Sequence, residues 1–258
     1  MLLTPPNPPI RDWRSQRVWV IGASSGIGAA LARALLARGA EVILSARRET
    51  ALQQVAGGAP RSLILPLDVR DPQSWQQAWY RLQPQVPDLL VFCAADYRPQ
   101  RCWELHHEQV RHTLETNLSS VYYALETVLP AMMARRSGGI ALVASVAGCL
   151  GLPGASVYGP GKAALINLAE LLHVELHDHG LGVYLINPGF VATRLTAQNT
   201  FAMPALLSPE AAAQRMLAGL ERGQFEIHFP KRFTLWIKLI ALLPYRLRLP
   251  LLRHLIRT

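Results

Sequence analysis

The chain has 258 residues, half of them hydrophobic and only 17% charged, which excludes a disordered polypeptide and leaves room for a sizeable core. Its net charge of +9 is uneven: residues 230–258 carry seven Lys/Arg and no acid, so the rest of the chain holds only about +2. A nearly neutral body has no broad basic face for a phosphate backbone, and nucleic acid is not an expected partner. Cys93, Cys102 and Cys149 show neither metal-ligand spacing nor an even disulfide set, so no metal is expected, and free thiols in a reducing, cytoplasmic compartment are the simplest account.

Residues 1–16 begin with four prolines before position 10 and read as a loose arm, without the charged and apolar runs of a secretory signal. Arg17–Ile21 reads as a buried strand. It runs into Gly22-Ala23-Ser24-Ser25-Gly26-Ile27-Gly28 and then a strongly helix-forming run closed by Gly39. Strand, glycine-rich turn and helix form an arrangement in which amide groups face a pyrophosphate, although a tight connection would look similar. Glu41–Ser45 is the second strand, and it ends in Ala46-Arg47-Arg48 where an NAD site would place an acid. Two guanidinium groups suit a 2′-phosphate, which favours NADP over NAD.

Residues 62–67 form the third predicted strand, followed by Asp68-Val69 and a helix opened by Asp71-Pro72. The apolar run 88–95 is the fourth. A helix from Glu108 continues past Asn117, with a short break, to Arg136, where Gly138-Gly139 stop it. Residues 140–144 make the fifth strand and end at Ser145. Then come Tyr158 and Lys162, four residues apart and so on one face of a helix, where an ammonium would lower the phenol's pKa. Taken alone, that pair also fits an ordinary surface helix. Residues 182–186 form a sixth strand leading into Asn187-Pro188-Gly189. The alternation gives an α/β doubly wound parallel sheet, with ligands expected beyond the carboxyl ends of the strands.

These motifs together resemble the short-chain dehydrogenase/reductase family in its Tyr-x-x-x-Lys branch: Gly22-x-x-x-Gly26-Ile27-Gly28, Asp68-Val69, Asn117, Ser145, Tyr158-x-x-x-Lys162 and Pro188-Gly189-x-x-x-Thr193. The resemblance spans about residues 17–229 and implies a single Rossmann-fold domain. It implies Tyr158 as general acid/base, Ser145 holding the substrate oxygen, Lys162 on the nicotinamide ribose and lowering the tyrosine pKa, and Asn117 holding a water. It also implies a cofactor site of Gly22, Ser24, Ser25, Gly26, Ile27, Gly28, Arg47, Arg48, Asp68, Val69, Ala94, Pro188, Gly189 and Thr193. Ser24 would join the two arginines at the 2′-phosphate, and Asp68 and Val69 would flank the adenine.

Three departures from the family pattern stand out. Phe92-Cys93-Ala94-Ala95 replaces Asn-Asn-Ala-Gly, so local support there must come from packing. Gly159-Pro160-Gly161 lies between Tyr158 and Lys162, which a helix accommodates if Ser156 caps it and Pro160 stays in the first turn. Ile21 stands where Thr or Ser is usual.

Residues 194–207 are expected to form a lid, with Leu195, Phe201, Met203, Leu206 and Leu207 lining the substrate side or packing into the body. The tail, 230–258, is apolar and basic but too interrupted to span a bilayer. It suits amphipathic helices on the anionic inner face of a membrane, or a tail packed on the body or on a second subunit. The expected activity is an NADP(H)-dependent interconversion of a carbonyl and an alcohol on an apolar, lipid-like small molecule, by a homo-oligomer. The rival is a non-catalytic NADP-binding regulator or scaffold held at a membrane surface.

Overall fold

A computed structural model describes residues 4–257. Seven strands form one sheet: β1 (Arg17–Ile21), β2 (Glu41–Ser45), β3 (Ser62–Ile64), β4 (Leu89–Phe92), β5 (Gly138–Val143), β6 (Leu181–Pro188) and β7 (Glu226–Phe229). Their order is β3-β2-β1-β4-β5-β6-β7, and every pairing is parallel. Helices α1 (Gly26–Ala37), α2 (Glu49–Ala56) and α7 (Pro209–Glu221) cover one face. The other is covered by α3 (Pro72–Leu82), α5 (Ser120–Ala134), which follows the short α4 (His107–Leu114), and α6 (Tyr158–Leu176). The two-residue period of a strand divides β1 between these layers: Val18 and Val20 join one core, Trp19 and Ile21 the other. The chain turns outward from β1 through β2 to β3 and then crosses back to β4. That reversal opens a crevice above the carboxyl ends of β1 and β4.

Several predicted boundaries move, each for a local reason. Strand β3 ends at Ile64 rather than Leu67, although Leu65 and Leu67 still donate to Leu44 and Ala46; Pro66 lies between them on the edge strand, where its missing N–H removes no bond to β2. Gly138 and Gly139 open β5 instead of merely stopping a helix. The break near Asn117 is a π-helical turn over Glu115–Ser119 between α4 and α5. Pro160 is the third residue of α6, within its first turn, where its missing N–H matters least. Ser156 is not the cap: its hydroxyl donates to the Gln100 carbonyl at 2.8 Å, and Val157 takes the cap position without a side-chain bond. Strand β7 has no counterpart among the predicted elements.

The N-terminal arm is a further correction, because residues 7–13 are docked rather than loose. Asn7 is buried against β6, its Nδ2 donating to the Val183 carbonyl at 2.7 Å and its Oδ1 accepting from the Val183 amide at 2.9 Å. An asparagine amide carries the same donor and acceptor as a peptide group, so Asn7 acts as one extra residue of the ladder. Trp13 is buried beside it and donates to Glu221 at 2.8 Å. Two helices complete the chain, α8 (Lys231–Leu242) and α9 (Tyr245–Arg257). Among the described residues, no helix is long and apolar enough to cross a membrane.

Candidate active site

The crevice above β1 and β4 is a cleft of about 980 Å³. Every candidate catalytic or cofactor-binding residue named above lines it except Asn117. The glycine turn packs too closely on its neighbours to carry side chains at Gly22 and Gly28. Gly22 has a φ of +85°, and a Cβ there would stand 2.7 Å from the Ala94 amide nitrogen. A Cβ on Gly28 would stand 2.4 Å from the Gly22 carbonyl oxygen. With side chains excluded, the backbone amides at the start of α1 are left facing the cleft, a fit for a diphosphate. Ser25 caps this helix by its backbone only, and its hydroxyl accepts from the Arg194 guanidinium at 3.1 Å.

Arg47 and Arg48 are exposed at the end of β2, and among the described residues neither forms an ion pair. Two exposed guanidinium groups on the cleft rim fit a 2′-phosphate, with Arg47 also close enough to the Asp68 carboxylate to lower its pKa. Asp68 is already engaged. The Arg70 side chain bonds it at 2.8 Å and, outweighing partial burial, holds its carboxyl below the usual range. Arg70 also meets His112 Nδ1 at 3.0 Å, so the Asp68 end of the cleft is walled by an ordered polar cluster.

Three groups converge deeper in. Ser145 follows β5 and caps a short 3-10 turn, its hydroxyl accepting from the Ala147 amide at 3.1 Å and lying close enough to Tyr158 to favour the phenolate. Tyr158 opens α6. Lys162, one turn on, is buried; its ammonium donates to the Val143 carbonyl at 2.7 Å and lies 5.5 Å from the centre of the Tyr158 ring. The expected lowering of the phenol pKa is not what the chain alone produces. Burial pushes Tyr158 up to about 12, the Ser145 hydroxyl opposing it and a neighbouring Tyr97 adding to it. Burial likewise brings Lys162 down to about 8. Desolvation is the largest cause of both shifts.

Asn117 lies outside the cleft lining and is bonded to the loop after β4. Its amide is 1% exposed, donating to the Asp96 carbonyl and accepting from the Asp96 amide, each at 2.7 Å. The side chain therefore braces the loop after β4, with one amide N–H and one carbonyl lone pair still to spare. This brace, together with Phe92 stacked on Trp75, supports the loop that lacks the family's amides.

Some cleft residues carry no sequence signal. Tyr97 packs edge-on against Tyr158, ring centres 5.0 Å apart, and its hydroxyl donates to Asn199 Oδ1 at 2.9 Å. Gln198 returns a bond from its amide to the Tyr97 carbonyl at 3.0 Å. The segment after Thr193 is thus tied across the cleft. Leu195 and Phe201 line it as expected, whereas Met203, Leu206 and Leu207 do not, and Leu207 packs on the core. Phe233 and Ile237 of α8 also line the cleft, with Phe233 lying 5.4 Å from Phe190. A lone aromatic in a basic tail points to no particular neighbour before the chain is folded.

The glycine turn, the strand-end serine and the Tyr/Lys helix on a doubly wound sheet define a nucleotide-dependent oxidoreductase architecture. The sequence model of the short chain dehydrogenase family matches residues 16–203, and the chain belongs to that family, whose members bind NAD(P)(H). It is similar to an uncharacterized oxidoreductase of Myxococcus xanthus, 34% identical over 87% of this chain and 91% of that protein. It is also similar to the 3-oxoacyl-acyl-carrier-protein reductase FabG of Escherichia coli, 36% identical over 69% of this chain and 74% of the relative. Among solved structures, a short-chain dehydrogenase from Streptomyces avermitilis superposes with a TM-score of 0.82 at 26% identity, covering 94% of this chain and 98% of its own.

Proposed function

We propose that the protein is an NADPH-dependent reductase of a carbonyl group on an apolar, acyl-chain-like small molecule. The observation that carries this reading is the convergence of Ser145, Tyr158 and Lys162 on the same cleft as the glycine turn and the unpaired Arg47 and Arg48. The bound nucleotide would be held by the turn, by Lys162 and by Thr193, with the two arginines on its 2′-phosphate. Once bound it supplies the hydride. Ser145 holds the substrate oxygen. Tyr158, whose raised pKa keeps it a neutral phenol at physiological pH, gives its proton to that oxygen as negative charge develops there. The Lys162 ammonium steadies the phenolate left behind. The Leu195 and Phe201 wall and the similarity to a 3-oxoacyl-carrier reductase support an apolar chain next to the carbonyl. The non-catalytic scaffold is disfavoured because a pure binder has no use for a buried acid/base pair.

Tyr158→Phe is expected to lower NADPH oxidation with a panel of ketones and 3-oxoacyl thioesters by about 10²–10⁴-fold. NADPH binding, followed by fluorescence titration, should remain near wild type. Undiminished turnover would contradict the assignment. Arg47→Ala/Arg48→Ala should weaken NADPH binding by about 10–100-fold and leave NADH binding nearly unchanged. Equal losses for both nucleotides would refute the 2′-phosphate role.

A further inference from the structure

Helix α8 has two faces with different neighbours. Thr234 is fully buried and meets His228 Nδ1 at 2.7 Å, and Lys238 pairs with Glu226, so one side is fastened to β7. Phe233 and Ile237 form part of the cleft wall. The remaining side points outward: Trp236 is 67% and Leu242 82% exposed, with Leu235 and Leu239 about half exposed between them. At 100° per residue, the half-buried Ile240 and then Trp236 lie between the cleft-facing and outward-facing positions. Apolar surface therefore runs without a break from the cleft wall to the outside of the helix. Tyr245 and Leu247 of α9 extend it, both largely exposed.

Charge identifies the occupant. Lys231, Arg232, Arg246 and Arg253 are exposed around this apolar surface, and residues 230–258 contain no carboxylate to pair with them. A second copy docked on the same face would set these cations against their own equivalents. An anionic bilayer satisfies both features at once: its headgroups take the Lys/Arg rim, and its acyl region takes Trp236, Leu239 and Leu242.

We infer that α8 and α9 seat the protein on an anionic lipid surface with the cleft mouth at the bilayer, so that the carbonyl substrate enters from the membrane along α8. The part that concerns the substrate rests on the carbonyl-reductase reading above; the docking does not.

The test uses the full chain and Leu239→Glu/Leu242→Glu, both outward positions that do not touch the cleft. Flotation is measured with vesicles of phosphatidylcholine alone and of phosphatidylcholine with phosphatidylglycerol. NADPH oxidation is measured with cyclohexanone in solution and with 2-heptadecanone dissolved in the anionic vesicles. The wild type should float with the anionic vesicles and not with the neutral ones, and the variant with neither. The variant should lose about tenfold or more on the bilayer ketone while keeping its rate on cyclohexanone. A wild type that stays at the bottom of the gradient overturns the docking, including the case where it is retained there as a self-associated oligomer. A variant that has lost flotation but turns over 2-heptadecanone as fast as wild type overturns entry along α8. No oxidation with either ketone, by a wild type that floats, counts against the reductase reading and against substrate entry while the docking stands.

Discussion

Lys162 shows how far a residue's role can oppose its contribution to folding. Its ammonium is buried with one backbone carbonyl as partner, and burial lowers its pKa from 10.5 to about 8. A folded-state pKa below the unfolded one means that protonated lysine opposes folding at every pH below about 8. The opposition fades as pH rises from 8 toward 10.5, where the unfolded chain loses the same proton. Lys162→Met should therefore raise stability at pH 7 by about 1–3 kcal/mol, as removal of a buried charge commonly does, while abolishing NADPH turnover. Thermal melts of the two proteins should converge as pH approaches 10.5, and a variant less stable than wild type at pH 7 would show that the Val143 bond outweighs desolvation. Tyr158 and Lys162 were legible as a pair from their spacing. The direction of their pKa shifts was not, because desolvation depends on what surrounds both groups once Ser145, Tyr97 and Val143 are in place.

Among the elements, the β-α-β unit that opens the chain was readable almost to the residue. Val18–Ile21 and Val42–Leu44 are apolar on both faces, and a glycine run between strand and helix has few other uses. Short elements held by distant partners were not readable. Strand β7, Glu226–Phe229, alternates polar and apolar over four residues and acquires its identity only by pairing with β6. The N-terminal arm is the same case, since a proline-rich start looks unstructured until Asn7 meets Val183. Asn7→Ala would leave that N–H and C=O unpaired in a buried site and should cost about 2–4 kcal/mol in chemical denaturation. Asn7→Asp, which would set a carboxylate oxygen against the Val183 carbonyl in a buried site, should cost at least as much. An effect of a few tenths on both would mean that the arm contributes nothing to the sheet.

At the scale of the molecule, the tail closes the cleft and is coupled to the body through titratable groups. Burial holds His228 below its usual 6.5, with Lys238 and Lys231 adding to the effect against Glu226. Burial alone would raise Glu226, but bonds from Lys238 and Asn187 outweigh it and keep the carboxyl below its usual range. Both folded-state values are depressed, so each contribution is complete above the group's ordinary pKa and is lost as pH falls through the folded one. Docking of α8 should weaken below about pH 6.5 through His228 and further below about 4.5 through Glu226. Hydrogen-exchange protection of residues 231–242, corrected for intrinsic rates, should drop between pH 7.5 and 5 while that of α6 holds. Constant protection of both would exclude the coupling.

By itself the sequence determined the doubly wound class, the glycine turn, the basic end of β2 and the order of Ser145, Tyr158 and Lys162, because these depend on backbone conformations and spacings set within a few residues. Only the tertiary structure decided that Asn117 braces a loop, that Tyr97 ties the segment after Thr193 to the tyrosine it packs against, and that a helix from the last thirty residues walls the cleft. Each of those depends on which distant group is left unpaired when the layers close, and buried polar groups and apolar faces are satisfied by proximity in space, whatever their separation along the chain.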